Sequence, residues 1–131
     1  MTFDAVTIAK LILLLFLAIV FLQSGIDKIV DWKGNLGWLK GHFSKTFFAS
    51  QVPLLLFSIL ILECASGILA VIGNVTILLG KVSAIPLYAA GLSAVSLLCL
   101  LLGQRLAKDY EGAKTIVIYL MPTIFLLYLL Q

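Results

Sequence analysis

Long apolar runs, each closed at both ends by charged or turn-forming residues, set the pattern of this chain. The first extends from about Val6 to Ser24, the second from about Val52 to Gly73, the third from about Ala84 to Gly103 and the fourth from Thr115 to about Leu130. A helix needs roughly 17–25 such residues to cross the hydrocarbon of a bilayer, and each run comes close to or meets that length. Within lipid every backbone N–H and C=O must find its partner inside its own segment, so the runs are predicted to be helices. Pro86 fits the first turn of the third, where its missing N–H leaves no bond unmade. The apolar stretch Val75–Gly80 also allows an earlier start, with Lys81 inside the helix and Pro86 at a kink. The predicted fold is all-α, with residues 1–131 forming one integral membrane domain, a four-helix bundle.

The connections differ in kind. Asp27–Gln51 is long and holds Trp32, Trp38, His42, Phe43, Phe47 and Phe48, with Phe57 just beyond. Leu36, Leu39, Phe43 and Phe47 recur at helical spacing while Lys33, Lys40, Ser44 and Lys45 point elsewhere. That pattern predicts a short amphipathic helix over about 33–49 lying in the membrane surface, with Trp32 and Trp38 as interfacial anchors. Asn74–Ser83 and Gln104–Lys114 are short, so successive spans should be antiparallel neighbours. One membrane face receives Lys28, Lys33, Lys40, Lys45, Arg105, Lys108 and Lys114, whereas the other receives Lys10 and Lys81. The excess of bases marks the cytoplasmic side and places both termini outside. A bacterial cytoplasmic membrane is the expected location.

Composition agrees with the pattern. The chain is 63% hydrophobic and 11% charged, with a mean hydropathy of +1.19, against roughly 25% charged residues in soluble domains. The net charge of +3 comes from bases flanking apolar runs, which suits anionic headgroups and argues against a nucleic-acid surface. Asp4 and the absence of a small-residue cleavage site after the first run argue that this run is retained.

Within so apolar a chain, Glu63 stands out. A carboxylate near mid-bilayer costs about 2.5–3.5 kcal/mol on the mildest insertion scale. Glu63 lies 11 residues past Val52, about 16 Å deep at 1.5 Å per residue. Ser66, Gly67, Ala70 and Asn74 follow it at spacings of three and four, a stripe of small residues along which spans approach closely. Glu63 is therefore expected to face the bundle interior, protonated or hydrogen-bonded because burial disfavours the charged form. Ala89, Ser93, Ser96 and Gly103 form a matching stripe on the third span, with hydroxyls available to a carboxylic acid. Gln23 is expected beside them. At the cytoplasmic end, Asp27, Lys28, Arg105, Asp109 and Tyr110 are expected to form a charged rim above this interior. For Glu63 a structural helix-to-helix hydrogen bond is the plain alternative; for the rim, it is interfacial anchoring with weak ion pairs.

Other chemistries find little support. Cys64 and Cys99 stand alone. Counted from the charged ends of their spans they differ in depth by roughly 12 Å, and a disulfide needs Cα atoms within about 7 Å. His42 has no partner at metal-ligand spacing, and no phosphate loop or nucleophile elbow occurs, so no metal site is predicted.

The chain resembles the DoxX family of small four-helix membrane proteins over nearly its whole length. The resemblance rests on Gly25-Ile26-Asp27-Lys28 as a turn after the first span and on Leu62-Glu63 with Gly67 and Gly73. It rests also on Gln104-Arg105-Leu106-Ala107-Lys108-Asp109-Tyr110-Glu111-Gly112 before the fourth span. It implies a membrane-embedded bundle but no single activity. Some members are described as subunits of quinone-reducing sulfur-oxidising enzymes, some as parts of redox assemblies or as assembly factors. Relatives that resemble vitamin K epoxide reductase depend on a cysteine pair that this chain lacks. The leading expectation is an accessory subunit that works with other membrane proteins, linked to redox or quinone chemistry, and not an enzyme by itself. The rival is a self-contained quinone- or lipid-binding enzyme in which Glu63 accepts a proton and Arg105 or Lys28 holds a head group. An oligomeric transporter is a third. No cofactor is predicted outright; a quinone or lipid is the class such an interior could take.

Overall fold

The computed structural model describes residues 3–44 and 49–131. Four helices in it are long and apolar enough to cross a membrane: α1 (Ala5–Val30), α3 (Val52–Leu78), α4 (Ile85–Leu106) and α5 (Tyr110–Leu129). They pack as an all-α bundle, which defines an integral membrane protein. A shorter helix, α2 (Trp32–His42), follows α1 almost without a break, and a single 3-10 turn (Ala49–Gln51) leads into α3.

Each span runs past its apolar run because polar residues cap or extend it. Asp4 starts α1 by accepting from the Thr7 amide at 2.8 Å. Gly25-Ile26-Asp27-Lys28 is not a turn but the last part of that helix, which ends only at Val30. At its far end Lys28 donates back to Ser24 Oγ one turn earlier, at 2.7 Å. Val75–Leu78 belongs to the end of α3, not to the start of α4. There the Lys81 amide reaches Thr76 O and the Gly80 amide Ile77 O, both at 3.0 Å, with Gly80 at φ 71°. This six-to-one closure uses the left-handed backbone that glycine adopts freely. The α4–α5 link repeats it, with Asp109 N on Gln104 O at 2.8 Å and Lys108 N on Arg105 O at 3.2 Å, but a lysine holds the left-handed position at φ 60°. Asp109 then caps α5, which begins five residues earlier than its apolar run because Asp109 Oδ1 accepts from the Gly112 amide at 3.1 Å.

Packing follows the small residues. A Cβ added to Gly67 would stand 2.7 Å from Leu22 Cγ, and one on Gly25 would stand 2.8 Å from Cys64 Sγ. Those two glycines set the close approach of α1 and α3. Ser66 and Ser96 meet across α3 and α4 at 3.2 Å, and Gly73 lies against Pro86. Phe16 and Tyr119 join α1 to α5 edge to face, centroids 5.8 Å apart. Leu14, Leu17, Phe21, Leu97 and Leu126 fill the centre. Ile12, Leu15, Ile19, Leu54, Leu98 and Phe125 point outward, as an apolar solvent requires.

The Ser66–Ser96 register also corrects the expected depths of the cysteines. It brings Cys64 level with Leu98, so Cys64 and Cys99 lie at nearly the same height, because α3 begins about one turn beyond the end of α4. Both thiols are free. Cys64 packs towards Gly25, whereas Cys99 is exposed and lines the cavity described below.

Candidate functional site: a buried ion pair beside an apolar cavity

The residues that pack α1 inward recur at helical spacing: Leu14, Leu17, Ala18, Phe21 and Gly25 are buried. The next position on that face is Lys28. Its side chain is 17% exposed, and its Nζ stands 2.9 Å from Oε1 of Glu63, whose side chain is 1% exposed. Nζ also donates to Glu63 Oε2 at 3.3 Å and to Ser24 Oγ at 2.7 Å. Glu63 Oε1 has no directed hydrogen bond among the described residues. The two observations agree once geometry is considered. The ammonium meets Oε1 at 2.9 Å as a close charge contact, and meets Oε2 and Ser24 Oγ at hydrogen-bonding angles.

Glu63 thus faces the interior as its stripe predicts, with Ser66, Gly67 and Ala70 buried beside it. The hydrogen bond it was expected to need comes from a base, Lys28, and not from a serine. Ser96 Oγ is spent on Leu92 O at 2.8 Å and on Ser66, while Ser66 also bonds Leu62 O at 2.7 Å. Ser93 is fully buried, and its Oγ has no partner among the described residues.

Among the described residues no ion pair ties the expected rim together. Lys28 leaves it for Glu63. Asp27 is exposed on the outside of α1. Arg105 lies over the Tyr110 ring at 4.9 Å, and Asp109 is occupied as the cap of α5. Gln23 is likewise exposed, not interior. Leu22 and Gly25 are held against α3, and Gln23, about 100° further round the helix than Leu22, is carried to the outer face.

Beside the ion pair, α2, α3 and α4 border a partly open cavity of about 410 Å³. Leu55, Leu56, Ile59 and Leu62 of α3 and Leu100 and Leu102 of α4 make apolar walls, with Trp38, Leu39 and Phe43 contributed from α2 and its end. The polar members of the lining are Lys28, Asn35, Ser58, Gln104 and Asp109. Three of these are committed to the fold: Asn35 donates to Asp31 O at 2.8 Å, Ser58 to Leu54 O at 2.9 Å, and Asp109 caps α5. Gln104 Oε1 is buried without a partner among the described residues. The expected amphipathic helix is real over Trp32–His42, and its Leu36 and Leu39 are half-buried. Trp32 is half-buried too, and Trp38, expected as an anchor, is exposed at its outer edge while also lining the cavity. Phe47, Phe48 and Lys45 lie outside the described residues.

Sequence reasoning missed Asn35 as a wall residue and Lys28 as the partner of Glu63. A signal for Lys28 existed in the inward phase of Leu14, Leu17, Phe21 and Gly25, which Lys28 continues. Among the described residues no group of three His, Cys, Asp or Glu could hold a metal.

The bundle and site define a small four-span membrane protein with a buried ion pair whose lysine lines a partly open apolar cavity. No family model, curated protein or solved structure matches the chain.

Proposed function

We propose that this protein binds an amphiphile of the quinone or lipid class, its apolar part between α2, α3 and α4 and its polar head at Lys28. The observation that carries the reading is Lys28 itself, which lines the cavity while reaching the sealed carboxylate of Glu63. A cavity of about 410 Å³ lies within the roughly 300–1,000 Å³ typical of small-molecule sites, and apolar walls with a few convergent polar groups are their usual lining. The resemblance to DoxX-like bundles, some of which are tied to quinone chemistry, supports the same reading. So does the excess of bases at the end that holds Lys28 and Arg105, which in this reading is the cytoplasmic face of a bacterial inner membrane. The test is purification in mild detergent with extraction of bound small molecules and mass spectrometry. The wild-type chain should retain an amphiphile, and Ile59→Trp, which fills the cavity from its wall, should lose it while keeping its helical circular dichroism. Retention by both would sink the assignment of the cavity.

A second reading has its own observation. Gln23 and Asp27 share the exposed side of α1, where a polar amide would otherwise face acyl chains. A neighbouring transmembrane helix would satisfy it, as polar side chains do between spans. In that reading the chain is an accessory subunit of a membrane complex. A stoichiometric membrane protein that co-purifies with wild type and is lost with Gln23→Leu supports it, and elution of the wild type alone argues against it.

A further inference from the structure

We infer that the cavity prefers an amphiphile with an anionic head, and that such a ligand enters together with one proton. This rests on the reading that the cavity holds an amphiphile, and adds the charge of the head and its coupling.

Lys28 has three N–H donors. Ser24 Oγ and the two oxygens of Glu63 stand around its Nζ at 2.7, 2.9 and 3.3 Å, and the same residue lines the cavity, so an acidic head that reaches it shares the ammonium with Glu63. Glu63 does not line the cavity, so an arriving head group meets the ammonium and not the carboxylate. Among the described residues Lys28 is the one base in that lining. The other ionisable groups around the pair do not replace it. On α1 Asp27 is exposed and turned outward. On α3 the Cys64 thiol packs towards Gly25, and on α4 Cys99 lies in the cavity wall, while Arg105 is occupied by the Tyr110 ring. Asp109 from the α4–α5 link carries its charge at the start of α5, where the helix dipole stabilises it. On α2 Lys33 and Lys40 are exposed and absent from the lining, and Asp31 caps that helix.

An acidic head drawn to that ammonium puts two acids on one cation, one of them the fully buried Glu63. Like-charged carboxylates sharing one site do not both ionise, and one proton stays between them. The balance is simple: the ligand anion and one proton enter, no covalent bond changes, and Lys28 keeps its charge. A neutral head of equal chain length takes up no proton.

A long-chain alkyl sulfonate, ionised throughout the working range, and the alcohol of the same chain length separate these cases when titrated into the protein in neutral-lipid nanodiscs. The sulfonate should bind about tenfold more tightly for each unit by which pH falls across the neutral range, as uptake of one proton requires, while the alcohol stays flat. Glu63→Gln should flatten the sulfonate profile. Lys28→Met/Glu63→Gln, which removes both charges and leaves none stranded, should still bind the alcohol and lose the preference for the sulfonate. A flat sulfonate profile in wild type, or a slope that persists in Glu63→Gln, overturns the inference and leaves the cavity reading intact. Binding of neither probe by the wild type overturns both.

Discussion

Replacing Lys28 with methionine keeps most of the side-chain volume and removes the cation paired with Glu63. The carboxylate is fully buried, so the variant must either strand a charge in the bundle or protonate it. Removing one partner of a buried pair typically costs about 3–5 kcal/mol, far more than the roughly 0–1 kcal/mol of an exposed pair. The 17% exposure of Lys28 places the expected loss at the lower end, about 3 kcal/mol. Glu63→Gln strands no acid, because Lys28 keeps Ser24 and gains an amide oxygen, and should cost less. Lys28→Met/Glu63→Gln leaves no buried charge, and uncharged replacements of this kind are often neutral or stabilising. The three variants and wild type form a double-mutant cycle, read by reversible unfolding in mixed micelles with far-ultraviolet circular dichroism. Strong positive coupling, with the double variant more stable than Lys28→Met alone, is the expected result. A loss below about 1 kcal/mol for Lys28→Met, with no coupling, would mean that the pair behaves as if open to water, and the interior placement of Glu63 would be wrong.

Four further outcomes follow from the structure. Gly67→Ala puts a Cβ 2.7 Å from Leu22 Cγ and 3.2 Å from the Leu22 amide nitrogen, and should cost about 1–3 kcal/mol as overpacking. Gly91→Ala, which meets nothing within 4 Å, should leave the unfolding midpoint unchanged or slightly raised. Lys108→Gly frees the left-handed position at φ 60° and should stabilise by roughly 1 kcal/mol, seen as a higher midpoint; a lower one would mean that the lysine side chain holds the link. At the opposite end, the Thr7 amide and then the Thr7 hydroxyl hold the Asp4 carboxyl below its ordinary value of 3.8. That contribution is complete above the unfolded value and is lost as pH falls through the lower folded one. Acid titration of wild type against Asp4→Asn should therefore show a difference that disappears only below about pH 3.8.

What could be read from the chain alone was what lipid dictates. Four spans follow from apolar length because a backbone in hydrocarbon has no other way to satisfy its polar groups. The inward turn of Glu63 followed from Ser66, Gly67 and Ala70 at helical spacing, which is local information. Span ends were less legible, because Lys28, Thr76 and Asp109 continue or cap helices beyond their apolar runs, and the last of these through a bond to Gly112. Tertiary structure decided the rest. Lys28 and Glu63 are 35 positions apart, and only the contacts of Gly25 and Gly67 with α3 and α1 bring them together. The same rotation of α1 that turns Lys28 inward turns Gln23 out. The cavity exists because α2 folds back against α3, with Phe43 at its end reaching Gly103 of α4, instead of trailing away from the bundle. Helical period tells which residues share a face; which neighbour that face meets is a matter of long-range packing, and that is where this site is made.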